Sequence, residues 1–201
     1  MRAFFVLIIL SVFCVQTHTQ EDSLKLVESS GVEIIVDGQL DEIEWSDARV
    51  LNLRKGKDHH MVVLLKYDKD YLYVAFKDLT DANNISYNAE VLISTNSDTP
   101  DWSNQSYWFH SSYSNCSAVG LYYFWENCTT RPVGWAANTF PFKEGNDHME
   151  FKISFSKLNI NPAKGRQIRM AFKVSDPLDQ QAYWPEEALI GDPLTWGLIT
   201  F

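Results

Sequence analysis

Between His148 and Phe155 the chain alternates without a break, placing Met149, Phe151, Ile153 and Phe155 on one side and Glu150, Lys152 and Ser154 on the other. Successive side chains of a strand point to opposite faces, so a period of two describes a strand with one buried face. The period recurs. Val62 to Tyr67 sends Val63, Leu65 and Tyr67 one way and Val62, Leu64 and Lys66 the other. After the turn Asp68-Lys69-Asp70, Tyr71 to Phe76 returns as its partner, which predicts a hairpin. Glu90 to Ile93, Ser106 to Ser112, Gln167 to Val174 and Gly197 to Phe201 predict further strands, with a loop at Asn96 to Ser103. In Ser106 to Ser112, Tyr107 and Phe109 share one face, and Trp108 and His110 the other. No stretch carries strong helical periodicity. Short strands separated by turns predict an all-β fold, an antiparallel β-sandwich of jelly-roll type.

The first 19 residues stand apart. Arg2 precedes an apolar run from Ala3 to Val15 and then small or polar residues, the layout of a secretory signal peptide. That run is too short for a bilayer, which takes about 20 apolar residues. No later stretch is long enough, so no membrane span is expected and the product is expected to be secreted, extracellular and soluble. Residues 20–201 have the size of one domain with one core. A net charge of −9 without any Lys or Arg cluster excludes a nucleic-acid partner on electrostatic grounds. Cys14 leaves with the signal, and the remaining pair, Cys116 and Cys128, predicts one disulfide in an oxidising compartment. Four N-glycosylation sequons, at Asn84, Asn104, Asn115 and Asn127, predict a glycoprotein.

Near the start of that domain, Val36 to Trp45 reads VDGQLDEIEW. Asp37-Gly38 predicts a turn, since Asp hydrogen-bonds its own backbone and Gly reaches positive φ freely. The turn would end a strand over Val32 to Val36. Leu40, Ile43 and Trp45 then supply apolar groups to plug one end of a core, leaving Asp41, Glu42 and Glu44 to solvent or a cation.

The order Asp37, Gly38, Leu40, Asp41, Glu42, Trp45 resembles the opening of the family 9 carbohydrate-binding modules, within the DOMON-like β-sandwich group. Three later blocks agree in order and spacing: VVLLKYDKDYLYVAFKD (Val62 to Asp78), NAEVLIS (Asn88 to Ser94) and DPLTWGLITF (Asp192 to Phe201). The resemblance runs from Val32 to the last residue. It implies a DOMON-like sandwich with a short helical turn at Ser156 to Leu158.

Enzymatic chemistry finds little support. Asp41 with Glu42, and Glu186 with Glu187, are sequence neighbours on solvated turns, whereas glycoside hydrolysis needs two carboxyls facing each other across a bond. No nucleophile elbow and no metal-binding His spacing occurs, so a non-enzymatic protein is expected. Haem is carried by some DOMON relatives between a Met and a His. Here Met61, Met149, Met170, His59, His60, His110 and His148 are the only candidates, and Met149 and Met170 sit at core-facing strand positions. No cofactor is expected, apart from a structural calcium that the resemblance allows at the acidic turn from Asp37 to Glu44.

Sugar binding is what the resemblance implies. Sugars stack their C–H faces on aromatic rings and hydrogen-bond their hydroxyls to polar side chains. The chain has 7 Trp and 9 Tyr. Trp45, Tyr71, Tyr73, Phe76 and Trp196 are expected in the core, which leaves Tyr87, Trp102, Trp108, Trp125, Trp135 and Trp184 as the surplus. The family's two stacking Trp positions fall near Asn84 and Ile190, where neither residue is Trp. Glu90 matches an acidic residue of the family that contacts ligand, and family polar residues fall near Trp108 and His110. Tyr87 and Trp184 lie in the two loops that carry the stacking residues. The expected site is therefore Tyr87, Glu90, Trp108, His110 and Trp184, binding a glycan or polysaccharide. The competing expectation is an extracellular interaction or matrix protein, with a protein partner, that kept the fold and lost the sugar site.

Overall fold

The computed structural model describes residues 23–29, 32, 34–40, 42–55, 59–79, 88–112, 116–119, 125–127, 133–138, 148–175 and 181–201. At 42, 54–55, 59–60, 116–119 and 125–127 the backbone alone is described. Two sheets carry the fold. The larger contains β1 (Ser23–Lys25), β5 (Asn88–Ser94), β6 (Ser106–Ser111), β7 (Cys116–Val119), β8 (Trp125–Asn127), β11 (Gln167–Ser175), β12 (Gln181–Trp184) and β13 (Gly197–Thr200). Its order is β1-β13-β11-β5-β6-β7-β8, and β12 shares an edge of β11 with β13. The smaller is ordered β2-β3-β4-β10-β9, from β2 (Arg49–Lys55), β3 (His59–Tyr67), β4 (Tyr71–Lys77), β9 (Trp135–Ala137) and β10 (Met149–Ser154). Among these strands every ladder is antiparallel except β1 with β13. The chain is an all-β sandwich.

The alternating residues build the space between the sheets. Val63, Leu65 and Tyr67 of β3, Met149, Phe151 and Ile153 of β10, and Met170 and Phe172 of β11 belong to one buried cluster. Phe76 meets Phe172 from the opposite sheet edge-on, with ring centroids 6.1 Å apart, and Tyr67 meets Phe201 at 5.0 Å. Edge-to-face contacts of this kind add roughly 0.5–1.5 kcal/mol each beyond area burial. The predicted hairpin closes as expected, because Asp68 Oδ1 accepts the N–H groups of Asp70 and Tyr71 at 2.8 and 2.7 Å. The turn after β10 is helical in its bonding: the N–H of Leu158 donates to the Ser154 carbonyl at 3.3 Å.

The outer face of the smaller sheet is covered by the segment from Ile34 to Ala48, including the single helical turn α1 (Glu42–Trp45). Ile34 and Trp45 pack on Tyr73 and Ala75 of β4. Glu150, fully buried on the same face, accepts the N–H groups of Gly38 and Asp37 and the indole N–H of Trp45. Lys66, 2% exposed, donates to the Glu44 carbonyl at 2.6 Å and to Asp47 at 2.7 Å. Gly38 has φ of +81°, as the turn reading requires.

Two expectations fail in this segment. Residues 32 and 34–36 form no strand: Ile34 is buried while Val32 and Ile35 are exposed, because the segment is fixed to the sheet by side chains and by Glu150 rather than by a ladder. Ile43 is 74% exposed and plugs nothing, since the turn of α1 that buries Trp45 points residue 43 outward. Of the residues expected in the core, Trp45, Tyr73, Phe76 and Trp196 are buried and Tyr71 is half-buried.

Candidate functional site

The outer face of the larger sheet carries a charged pair that is nevertheless buried, Glu90 at 3% and Lys173 at 7% exposure. Antiparallel register places Tyr183 of β12 opposite Lys173 of β11, Lys173 opposite Glu90 of β5, and Glu90 opposite His110 of β6. The same row continues along the backbone to Ser117 and Asn127. Opposite-charge cross-strand pairs stabilise a sheet and like charges do not, so the Glu90–Lys173 pairing is the favourable arrangement for this row.

Glu90 is 3% exposed and fully engaged. Its Oε1 accepts from Lys173 Nζ at 2.9 Å and from Ser175 Oγ at 3.4 Å, and its Oε2 accepts the indole N–H of Trp108 at 2.7 Å. Lys173 Nζ also stands 5.7 Å from the centre of the Trp108 ring. His110 Nδ1 lies 3.9 Å from Glu90 Oε1. Burial pulls the His110 pKa below its usual 6.5; Glu90 opposes that shift and Lys173 adds to it, so the imidazole is neutral at pH 7. The result is a nearly charge-balanced polar cluster with a half-exposed indole and imidazole at its edge.

Beside it the same face turns apolar. Leu92, Ala171, Ala188 and Trp196 form a buried satellite cluster, with Trp102, Trp108, Tyr183 and Ile190 packed around it. Trp102 meets Trp196 edge-on at 6.2 Å, and Trp196 donates its indole N–H to the Leu189 carbonyl at 2.8 Å. Trp108 and Tyr183 thus sit at the boundary between the polar and apolar halves. An aromatic face next to fixed hydrogen-bonding groups is what a sugar's C–H face and hydroxyls require.

Of the expected site residues, Glu90, Trp108 and His110 come together. Trp184 does not. It is fully buried between the sheets, its ring 5.6 Å from that of Phe172, because Ala182 and Trp184 take the inner face of β12 and Tyr183 the outer. Tyr87 and Asn84 lie outside the described residues, as do Asn115 and Cys128; Cys116, Trp125 and Asn127 are placed by backbone only. Ile190 packs against the satellite cluster. Trp135 belongs to the core, 5.4 Å from Phe109. Asn104 is exposed. Sequence reasoning missed Lys173, Ser175 and Tyr183. Lys173 and Ser175 at the polar phase of β11 were the available signal.

At the acidic turn Asp37 Oδ1 accepts the N–H of Gln39 at 2.8 Å, and Lys66 Nζ donates to the Glu44 backbone carbonyl; Asp41 and the Glu42 side chain lie outside the described residues. Among the described residues no three His, Cys, Asp or Glu side chains gather around a metal position. Met61, Met149 and Met170 are packed in the core. No helix among the described residues is long and apolar enough to cross a membrane. Depressions of about 470 and 300 Å³ lie at the sheet ends and include none of the Glu90 cluster.

Neither a family sequence model nor a curated protein sequence matches the chain. Solved structures do. A family 9 carbohydrate-binding module of Caldicellulosiruptor kristjanssonii, determined with cellotriose, superposes with a TM-score of 0.54 and 18% identity over 89% of this chain and 92% of that one. A structure of such a module from the same organism with glucose gives 0.57 and 16%, over 89% and 94%. The chain has the family 9 module fold. A candidate carbohydrate-binding protein from Bacteroides uniformis ATCC 8492 shares it, with a TM-score of 0.56 and 10% identity over 89% of this chain and 98% of that one. These matches each cover 89% of this chain, although few residues are shared.

Proposed function

We propose that this chain is a secreted, glycosylated, non-catalytic binding protein that takes a glycan or polysaccharide on the outer face of its larger sheet. The observation that carries the reading is the Glu90 cluster. A carboxylate held by Lys173 and Trp108, with His110 beside it, is the residue that the sequence resemblance matches to an acidic ligand contact of the family. Trp108 and Tyr183 provide aromatic surface in place of the two missing stacking Trp residues. Similarity to modules determined with glucose and cellotriose supports a neutral sugar as the first probe.

A second reading has its own support. Glu90 is already satisfied inside the protein and Trp184 is buried, so the same face could serve a protein partner on a sheet that no longer binds sugar. A glycan and polysaccharide screen separates the two. The protein is tested before and after enzymatic removal of its N-glycans, with Trp108→Ala and His110→Ala as controls. Binding that either substitution weakens supports the sugar site; no binding in either form supports the protein-partner reading.

A further inference from the structure

An open polar groove of about 470 Å³ lies between the β5–β6 connection and the residues that lead into β11. Its walls include Thr95, Asn96, Ser97, Gln105, Arg166 and Gln167. Small-molecule sites have similar volumes, roughly 300–1,000 Å³, but are mostly apolar. Here each of the six carries a hydroxyl, amide or guanidinium group. The walls are tied in place: the N–H of Thr95 donates to the Gln105 carbonyl at 2.9 Å, and Arg169 Nε donates to the Ser97 carbonyl at 2.7 Å. Arg166 reaches the Thr95 carbonyl at 3.4 Å. Gly165, with φ of +84°, completes the wall, and a Cβ there would meet nothing within 4 Å.

The residue before Gln105 is Asn104, exposed and first in the sequon Asn104-Gln105-Ser106. We propose that the groove seats the innermost sugars of an N-linked glycan on Asn104. N-acetylglucosamine presents an acetamide and hydroxyls, which match the amides of Gln105 and Gln167 and the guanidinium of Arg166, while Asn96 holds its own loop through Thr99 and Asp98. An open polar groove holds a free sugar weakly, because association entropy outweighs a few water-competed hydrogen bonds. A sugar tethered one residue away arrives at an effective concentration on the order of millimolar or above, so the same contacts suffice. No groove residue belongs to the Glu90 row. The inference rests on the glycosylation part of the proposed function and not on its sugar site.

The test uses protein secreted from a eukaryotic host. Site occupancy is read by glycopeptide mass spectrometry, and release of the Asn104 glycan by peptide N-glycosidase is timed on the native protein. The Arg166→Ala/Gln167→Ala double variant, checked for an unchanged melting temperature, is the comparison. Release at Asn104 is expected to be about tenfold slower in the wild type than in the variant, the effect of two or three lost hydrogen bonds, with the other sequons unaffected. Equal rates overturn the proposal, as does an empty Asn104 beside occupied sequons. A chain with no glycan anywhere overturns it together with the glycosylation reading.

Discussion

The indole nitrogen of Trp45 and the carboxylate of Glu150, 105 residues apart, are joined by a 3.1 Å hydrogen bond. The other carboxylate oxygen takes the N–H groups of Gly38 at 2.7 Å and Asp37 at 3.1 Å, so one side chain of β10 ties both the turn and Trp45 of the segment that covers the smaller sheet. Removing the acceptor leaves buried donors without partners, at about 1–3 kcal/mol each. Glu150→Ala is expected to lower the unfolding free energy by about 3–5 kcal/mol in urea titrations. A loss below about 1 kcal/mol would show that the segment is held without it.

Burial is the largest influence on the same carboxyl group. It pushes the Glu150 pKa up to about 7 from its usual 4.5, with Asp37 adding to the rise and the hydrogen bonds from Gly38, Trp45 and Asp37 opposing it. Between those values the folded state retains a proton that the unfolded chain has released, so stability falls as pH rises from 4.5 through 7. The contribution amounts to roughly 3 kcal/mol across that window. Melting temperature should decline over this interval in the wild type and decline less in Glu150→Gln. Parallel profiles for the two proteins would contradict the assignment.

Trp184 and Gly197 are packed so closely that a Cβ at Gly197 would lie 2.2 Å from Trp184 Cη2 and 2.5 Å from its Cζ3. Gly197→Ala is therefore expected to cost about 1–3 kcal/mol by overpacking. Truncating the ring, as in Trp184→Ala, is expected to cost about 3–5 kcal/mol as a core deletion. Thermal melts of the two variants and the pair decide it. A Gly197→Ala protein as stable as the wild type would overturn this packing.

These residues also show what the sequence could and could not tell. The phase of the period is sufficient to assign faces in β3, β6 and β10, and the register of β5 with β6 and β11 then brings Glu90, Trp108 and His110 together. In Gln181–Trp184 the run is four residues long and both Tyr183 and Trp184 are aromatic, so nothing local decides which one turns inward. The pairing of β12 with the end of β11 decides it, and that contact is remote in kind even where it is near in sequence. Val32 to Val36 alternates too weakly to specify a ladder, and Glu150, more than a hundred positions away, holds the turn that follows it at Asp37 and Gly38. The strand β2 escaped because its apolar residues are few.

Glu90 and Lys173 form a buried pair at 2.9 Å, with side chains 4% and 9% exposed. Removing only the cation strands a buried carboxylate. Lys173→Met is expected to destabilise the protein by about 3–5 kcal/mol, and adding Glu90→Gln should restore most of the loss. Additive losses in this double-mutant cycle would mean that the two side chains do not depend on each other.

The central claim is that the outer face of the larger sheet, at Glu90, Trp108 and His110, is where ligand binds. Indole N–H resonances of the tryptophans, followed while the best oligosaccharide from the screen is titrated in, test it directly. The account predicts a saturable shift of the Trp108 indole N–H, which is bonded to Glu90, with the buried Trp45 and Trp184 unmoved. Saturable shifts confined to other residues, or none at all with every sugar tried, would contradict it.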